Sequence, residues 1–182
     1  MDTQDTKYPW YSLVNGDEIE QGDILEGCPV FLPPPDLTLN FFEDEEATFI
    51  WEERDVIVMS QTCDLVKGRE KVSEVLLCAV WRQSEFREGH HLATAKGMED
   101  ARRGQLPAYH VLNKCSIPGI EREFRVVDFH RVYSLPLDFF RQFASAQKKR
   151  VRLLPPYREH LSQAFARFFM RVGLPTDIPP FR

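Results

Sequence analysis

Ser60-Gln61-Thr62-Cys63-Asp64-Leu65 is the most unusual polar cluster in the chain, and it directly follows the apolar run Val56-Ile57-Val58-Met59. The end of a strand is a place where sites are often built. A thiol there becomes a nucleophile when an imidazole takes its proton. Cys63 with His90, His91 or His130 in reach would make a Cys-dependent enzyme or a redox sensor. The blander alternative is a small buried cysteine followed by an Asp64 that closes a turn through its own side chain. A metal would need convergent thiolates and imidazoles, yet Cys28, Cys63, Cys78 and Cys115 lie far apart with no CxxC or HxxxH spacing. Adjacent His90 and His91 point in different directions on either a helix or a strand. No metal is expected. No Walker loop, GxGxxG, GxSxG or HExxH occurs, so no cofactor is expected either.

Charge offers a second kind of chemistry. The formal net charge of −5 conceals an asymmetry: residues 1–91 carry 7 Lys/Arg against 20 Asp/Glu, and residues 92–182 carry 16 against 8. Either the halves pack and neutralise each other, or the second half offers a basic face to an acidic protein or a nucleic acid. A pI near 5.6 counts against a dedicated nucleic-acid binder. Arg102-Arg103 and Lys148-Lys149-Arg150 read as solvated basic faces. Phe139, Phe140 and Phe143 keep helical spacing, as core residues do, rather than forming base-stacking platforms.

The elements that must position these residues follow from punctuation and period. Ile24 to Leu32 reads as a strand between Gly22 and Pro33-Pro34-Pro35. Leu37 to Phe42 begins another, Glu43-Asp44-Glu45-Glu46 suits a solvated hairpin tip, and Ala47 to Trp51 returns. Asp55 to Ser60 looks buried on both faces, and Val72 to Trp81 resumes after the turn Lys67-Gly68-Arg69. Together these make a β-meander. His90 to Arg103 predicts a short helix weakened by Gly97 and closed by Gly104. Tyr109–Leu112 and Phe124–Phe129 predict late strands. Ser134 is a candidate N-cap for a helix with Pro136 in its first turn and Lys148-Lys149-Arg150 near its end. Tyr157 to Val172 predicts the best-defined helix. Leu161, Ala164, Phe165, Phe168, Phe169 and Val172 share one stripe, with Arg158, His160, Arg167 and Arg171 opposite and Gly173 as the stop. At 182 residues and 43% hydrophobic content the chain suits one packed unit. It has no run of about 18 apolar residues for a membrane span. The first residues lack a signal peptide's basic and apolar regions, so a reducing cytoplasm is the expected location.

The order Gln21-Gly22-Asp23-Ile24, an apolar strand, a loop, and then Arg54-Asp55-Val56-Ile57-Val58-Met59-Ser60 resembles the opening of the MazF/PemK/Kid toxin barrels. The resemblance covers roughly residues 21–81. It implies an α+β fold: a small SH3-like, MazF-like β-barrel over residues 1–134, with a helical extension over 135–182 packed on it as one structural unit. In that family the arginine before the second core strand stabilises charge on a reacting RNA phosphate, and a threonine closing the next strand activates the 2′-hydroxyl. Arg54 stands in the arginine's place, followed by Asp55 instead of proline. Trp81 or Cys78 stands in the neighbourhood of the threonine, so Thr62 is the substitute hydroxyl if its loop folds back.

A carboxylate next to Arg54 would neutralise its guanidinium. The leading expectation is therefore a non-catalytic module working through protein contacts, in a bacterial toxin–antitoxin or anti-phage defence setting. Its surfaces would be Arg54, Gln61, Thr62 and Asp64, and the basic helix with Arg158, Arg167 and Arg171. The alternative is a metal-independent, sequence-selective endoribonuclease with Arg54 as charge stabiliser and Thr62 or His130 as acid/base. A Cys63-dependent enzyme or redox sensor is the third reading. Expected partners are a protein first, with RNA or a second copy of the chain as further candidates, and no membrane.

Overall fold

Gly22 and Pro33 bound the first long strand, and the β-branched run after Arg54 supplies the next. In a computed structural model the chain is described over residues 8–38 and 50–170. Its elements are β1 (Tyr11–Val14), β2 (Asp23–Leu32), β3 (Ile50–Val58), β4 (Glu74–Arg82), α1 (Ala95–Arg102), β5 (Tyr109–Leu112), β6 (Arg125–Pro136), α2 (Leu137–Ala146), β7 (Arg150–Leu153) and α3 (Tyr157–Phe169). The class is α+β. The seven strands form one sheet in the order β1-β7-β2-β3-β4-β6-β5, and every neighbouring pair is antiparallel.

The sheet is bent rather than closed, with β1 and β5 as its edges. One register slip lies between Leu25 and Cys28, where Gly27 adopts φ 63° and donates its N–H to Asp55 Oδ1 at 3.0 Å. A left-handed glycine at an extra residue is how a strand bends without breaking its ladder. A larger slip lies opposite Cys78 and Ala79, where the partner in β6 jumps from Val132 to Asp128 and Phe129–Arg131 bulge out. The bend brings the two edges near each other, and the Tyr11 hydroxyl donates to the carbonyl of Asn113, just past β5, at 2.7 Å.

Helices α2 and α3 pack on opposite faces of the sheet, while α1 lies against β5 and β6 through Ala101, Val126 and Val111. Leu25, Val56, Val58, Leu77 and Leu135 pack with Leu137, Phe140 and Ala144 of α2. On the opposite face Ile24, Ile57, Val127, Phe129 and Leu153 pack around Leu161 of α3, with Phe165 and Phe168 half-buried beside them. Burial of a leucine or phenylalanine contributes about 1.5–3 kcal/mol, so these two stripes hold the helices to the sheet. No described helix is long and apolar enough to cross a membrane.

Several local expectations shift for physical reasons. Ser134 is not a helix cap: β6 runs on to Pro136, and the Ser134 hydroxyl donates to Glu74 Oε2 at 2.5 Å. Arg150 does not close α2; it opens β7. The boundary drawn at 134/135 therefore falls inside β6, and the C-terminal segment contributes a strand to the same sheet. The helix before Gly104 shortens to Ala95–Arg102, because the Thr94 hydroxyl accepts from Gly97 N at 2.9 Å and caps it there. Within the Phe139, Phe140 and Phe143 trio only Phe140 is fully buried, while Phe139 is exposed. No strand begins at Leu37 or Thr38, and the acidic run 43–46 lies outside the described residues, as do Arg171, Val172 and Gly173.

The charge asymmetry resolves into ion pairs between the halves. Glu26 takes Arg122 and Arg125, Glu70 takes Arg141, Asp23 takes Arg150 and Arg152, and Glu20 takes Arg152 and Arg158. Asp23 and Arg150 meet at 2.9 Å with both side chains wholly buried, and Arg150 also donates to the Gly16 and Glu18 carbonyls. That guanidinium locks the β1–β2 loop onto β7.

Candidate functional site

The polar cluster after β3 makes a 3₁₀ turn over Thr62–Asp64. Thr62 Oγ1 accepts from Gln21 N at 3.2 Å, and the side-chain amides of Gln21 and Gln61 both donate to Ser162 Oγ on α3, at 3.2 and 3.3 Å. Gln21 and Gln61 thus tie α3 to the sheet, while Thr62 holds the Gln21 backbone. Cys63 is exposed, with its thiol 3.5 Å from Asp64 Oδ1, and Lys71 pairs with that carboxylate at 3.1 Å. The Lys71 hydrogen bond, then that of Cys63, holds the Asp64 carboxyl below its ordinary range. His90, His91 and His130 are engaged elsewhere, with Leu92, Asp100 and Asp128, so no imidazole is placed to activate Cys63. Cys28 and Cys78 are inert in a different way: burial pushes both thiols up to about 12.

Arg54 lies elsewhere, part way along β3. Two residues along the ladder from the Val56–Ala79 pair, it faces Trp81, and its guanidinium sits 5.3 Å from the indole centroid. Its carboxylate partner is Glu52, two residues back on the same strand face. Asp55, expected to neutralise Arg54, points the other way: it accepts from Gly27 and pairs with Arg82 at 3.5 Å. Alternation along the strand separates the neighbours that the sequence puts side by side.

The β6 bulge delivers the rest. Asp128 pairs across the ladder with Tyr109 of β5, and its Oδ1 receives both His130 Nδ1 and the His130 amide at 3.0 Å. His130 lies edge-on to Tyr109 at 5.6 Å, and His90 lies edge-on to the same ring at 6.4 Å. His90 stacks on Phe86 at 4.9 Å and is held by the turn before α1, where its Nδ1 accepts from Leu92 N at 3.1 Å. Arg87 and Arg131 complete an open cleft of about 780 Å³ whose walls include Arg54, Trp81, Tyr109, His90 and His130. Burial, and then the Asp128 carboxylate, raises the Tyr109 phenol above its usual value, so it stays protonated through the neutral range.

Arg54 over the Trp81 ring, with Arg87 and Arg131 in a lining that also holds Glu85 and Asp128, suits an anionic chain that carries planar groups. An imidazole braced by a carboxylate suits proton transfer. Thr62, Cys63 and Asp64 border none of this cleft. Among the other basic candidates, Arg158 is spent on Glu20 and Glu159, whereas Arg167 is exposed without an ion pair to the described residues. Lys148 and Lys149 border a separate groove of about 510 Å³ with Arg122 and Glu26. Among the described residues no three His, Cys, Asp or Glu side chains gather as a metal-ligand set.

Arg54 and His130 were legible as candidates from the sequence. Trp81, legible only as a misplaced threonine, turns out to be the platform under Arg54. Tyr109, Arg87, Arg131 and the role of His90 had no signal, because the β6 bulge and the α1 turn that gather them are long-range features. No protein-family model matches the chain, and no curated protein matches it at a significant level.

Proposed function

We propose that this chain is an RNA-cleaving protein, an endoribonuclease built on a strongly bent, MazF-like sheet, with the Arg54 cleft as its active site. The observation that carries the reading is the convergence of Arg54, stacked on Trp81, with the Asp128-braced His130 in one open cleft. A phosphodiester lodged there would meet guanidinium groups of Arg54, Arg87 and Arg131 as charge develops on its oxygens. Tyr109 offers a ring to an unstacked base, and Arg54 over Trp81 offers a guanidinium, which favours single-stranded over duplex RNA. His130, held by Asp128, takes the proton that the attacking 2′-hydroxyl must lose. Charge stabilisation and proton transfer both come from side chains, so the proposed cleavage is metal-independent. Thr62 has no part in it.

The test is a ladder of defined single-stranded RNAs incubated with wild type in the presence of EDTA. Cuts at reproducible positions that fall about 100-fold or more in Arg54→Ala and His130→Asn support the reading. Intact RNA with well-folded wild type overturns it.

A second reading is a non-catalytic interaction module in a toxin–antitoxin or anti-phage defence system. It draws on Phe31 and Trp51, cross-strand partners at the far end of β2 and β3 that are 59% and 58% exposed. Paired aromatics on a strand pair make a plausible contact for a protein partner or for a second copy. Under that reading binding would survive Arg54→Ala and be lost in Phe31→Ser with Trp51→Ser.

A further inference from the structure

Two imidazoles in one cleft suggest a histidine base paired with a histidine acid, but their partners exclude that division of labour. The Leu92 amide is a donor only, so His90 Nδ1 must present a lone pair to it at 3.1 Å. An imidazolium has no lone pair, and this contact therefore favours neutral His90 with its proton on Nε2. A neutral imidazole donates hydrogen bonds but is far too weak an acid to hand over a proton. His130 is the reverse case. The Asp128 carboxylate only accepts, so His130 Nδ1 carries a proton, and in the neutral ring Nε2 is left with the lone pair that a base needs. Between the two rings stands Tyr109, whose hydroxyl bonds to no described residue and whose side chain borders the cleft.

We infer that Tyr109, not a histidine, supplies the proton to the leaving oxygen, that His130 is its paired base, and that His90 is a neutral hydrogen-bond donor to the substrate. The inference rests on the ribonuclease reading above. His130 Nε2 takes the proton of the 2′-hydroxyl as the 2′-oxygen forms its bond to phosphorus. The bond from phosphorus to the 5′-oxygen breaks, and the electron pair leaves with that oxygen. The Tyr109 hydroxyl protonates it. The products are a 2′,3′-cyclic phosphate and a 5′-hydroxyl, and water carries the proton from His130 back to the phenolate. The charge that forms on His130 is stabilised by Asp128, which also fixes the ring's orientation. Burial, and then the Asp128 charge, raise the phenol above its usual value, so the hydroxyl carries its proton through the neutral range.

The test compares an ordinary oligoribonucleotide with one carrying a 5′-bridging phosphorothiolate at the linkage that wild type cuts. A thiolate leaves without being protonated, so the acid becomes dispensable. Tyr109→Phe keeps the ring and its contacts with both histidines and removes only the hydroxyl. It is expected to cut the ordinary substrate about 10²–10⁴-fold more slowly than wild type, and the phosphorothiolate within about threefold of it. His130→Asn, whose amide can still donate to Asp128, is expected to be slow on both.

The pH–rate profile of wild type gives an independent check. With ordinary RNA it should show no fall just above neutrality, because burial, and then the Asp128 charge, hold the Tyr109 phenol protonated there. Tyr109→Phe at wild-type rate, equal slowing on both substrates, or a wild-type profile that falls just above neutrality would each overturn the inference while leaving the nuclease reading in place. A wild type that cuts neither substrate overturns the nuclease reading itself, and the proton assignment with it.

Discussion

His110 gives the fold a measurable acid sensitivity. It lies on β5, with its ring stacked toward Phe129 at 6.5 Å, in the layer that α3 covers. Burial, and then the nearby His160, lowers its pKa from 6.5 to about 4. The folded protein therefore resists a proton that the unfolded chain accepts readily. Above about pH 6.5 both states are neutral at this position and it contributes no penalty. As pH falls, the unfolded state takes up the proton first, and stability drops until the folded state also titrates near 4. The gap of about 2.5 pH units at about 1.4 kcal/mol each amounts to about 3.5 kcal/mol, of which about 2 kcal/mol is lost by pH 5. Carboxylates with lowered values, such as Glu26, Glu70 and Glu99, withdraw their stability from about pH 5 downward in wild type and variant alike, so the difference between the two reads His110. Urea unfolding from about pH 8 to about pH 4.5, for wild type and His110→Gln, reads the effect as a difference in slope. The wild type should lose stability through this window relative to the variant. Parallel curves, or a wild type that gains on acidification relative to the variant, would refute the burial argument.

Three further outcomes test other parts of the structure. Asp23→Asn strands the buried Arg150 guanidinium, and urea unfolding should reveal a loss of about 3–5 kcal/mol; Glu99→Gln, which breaks only exposed pairs with Arg102 and Arg103, should leave the midpoint close to that of wild type. Gly97→Ala would put a Cβ 1.9 Å from the His91 carbonyl oxygen, so the turn holding His90 must move. A thermal melt should show a loss of about 2 kcal/mol or more, and weakened RNA binding should accompany it; an unchanged melt would contradict the packing of α1 on that turn. Glu52→Gln frees Arg54 from its carboxylate partner, and affinity for single-stranded RNA should rise by up to about fivefold in a fluorescence titration. A fall in affinity would show that Glu52 positions the guanidinium rather than competing with RNA.

What the sequence determined by itself was local. Gly22 and Pro33 bound β2 because a flexible hinge and a ring without an N–H mark where a ladder begins and ends. The run Val56-Ile57-Val58 is buried on both faces, as β-branched residues without alternation require, and the helical spacing around Leu161 places that residue fully in the core. Arg54 and His130 were legible as chemistry because their side chains admit few roles. Tertiary structure decided which of those residues meet. Thr62 and Cys63 follow β3 closely in sequence, yet Thr62 binds the Gln21 backbone while Cys63 faces solvent. Arg54 instead joins Trp81, Tyr109 and His130 across three other strands. Three-residue slippage at Phe129–Arg131 is invisible to any local period, because a bulge is selected by the fit of β6 to β4 and not by the bulged residues alone. The same holds for β7, four residues that find their place between β1 and β2 because Arg150 carries a charge that, among the described residues, the buried Asp23 carboxylate offsets. Period and punctuation act over a few residues, whereas a cleft depends on contacts between residues far apart in the chain, and those are selected by the packing of the whole domain.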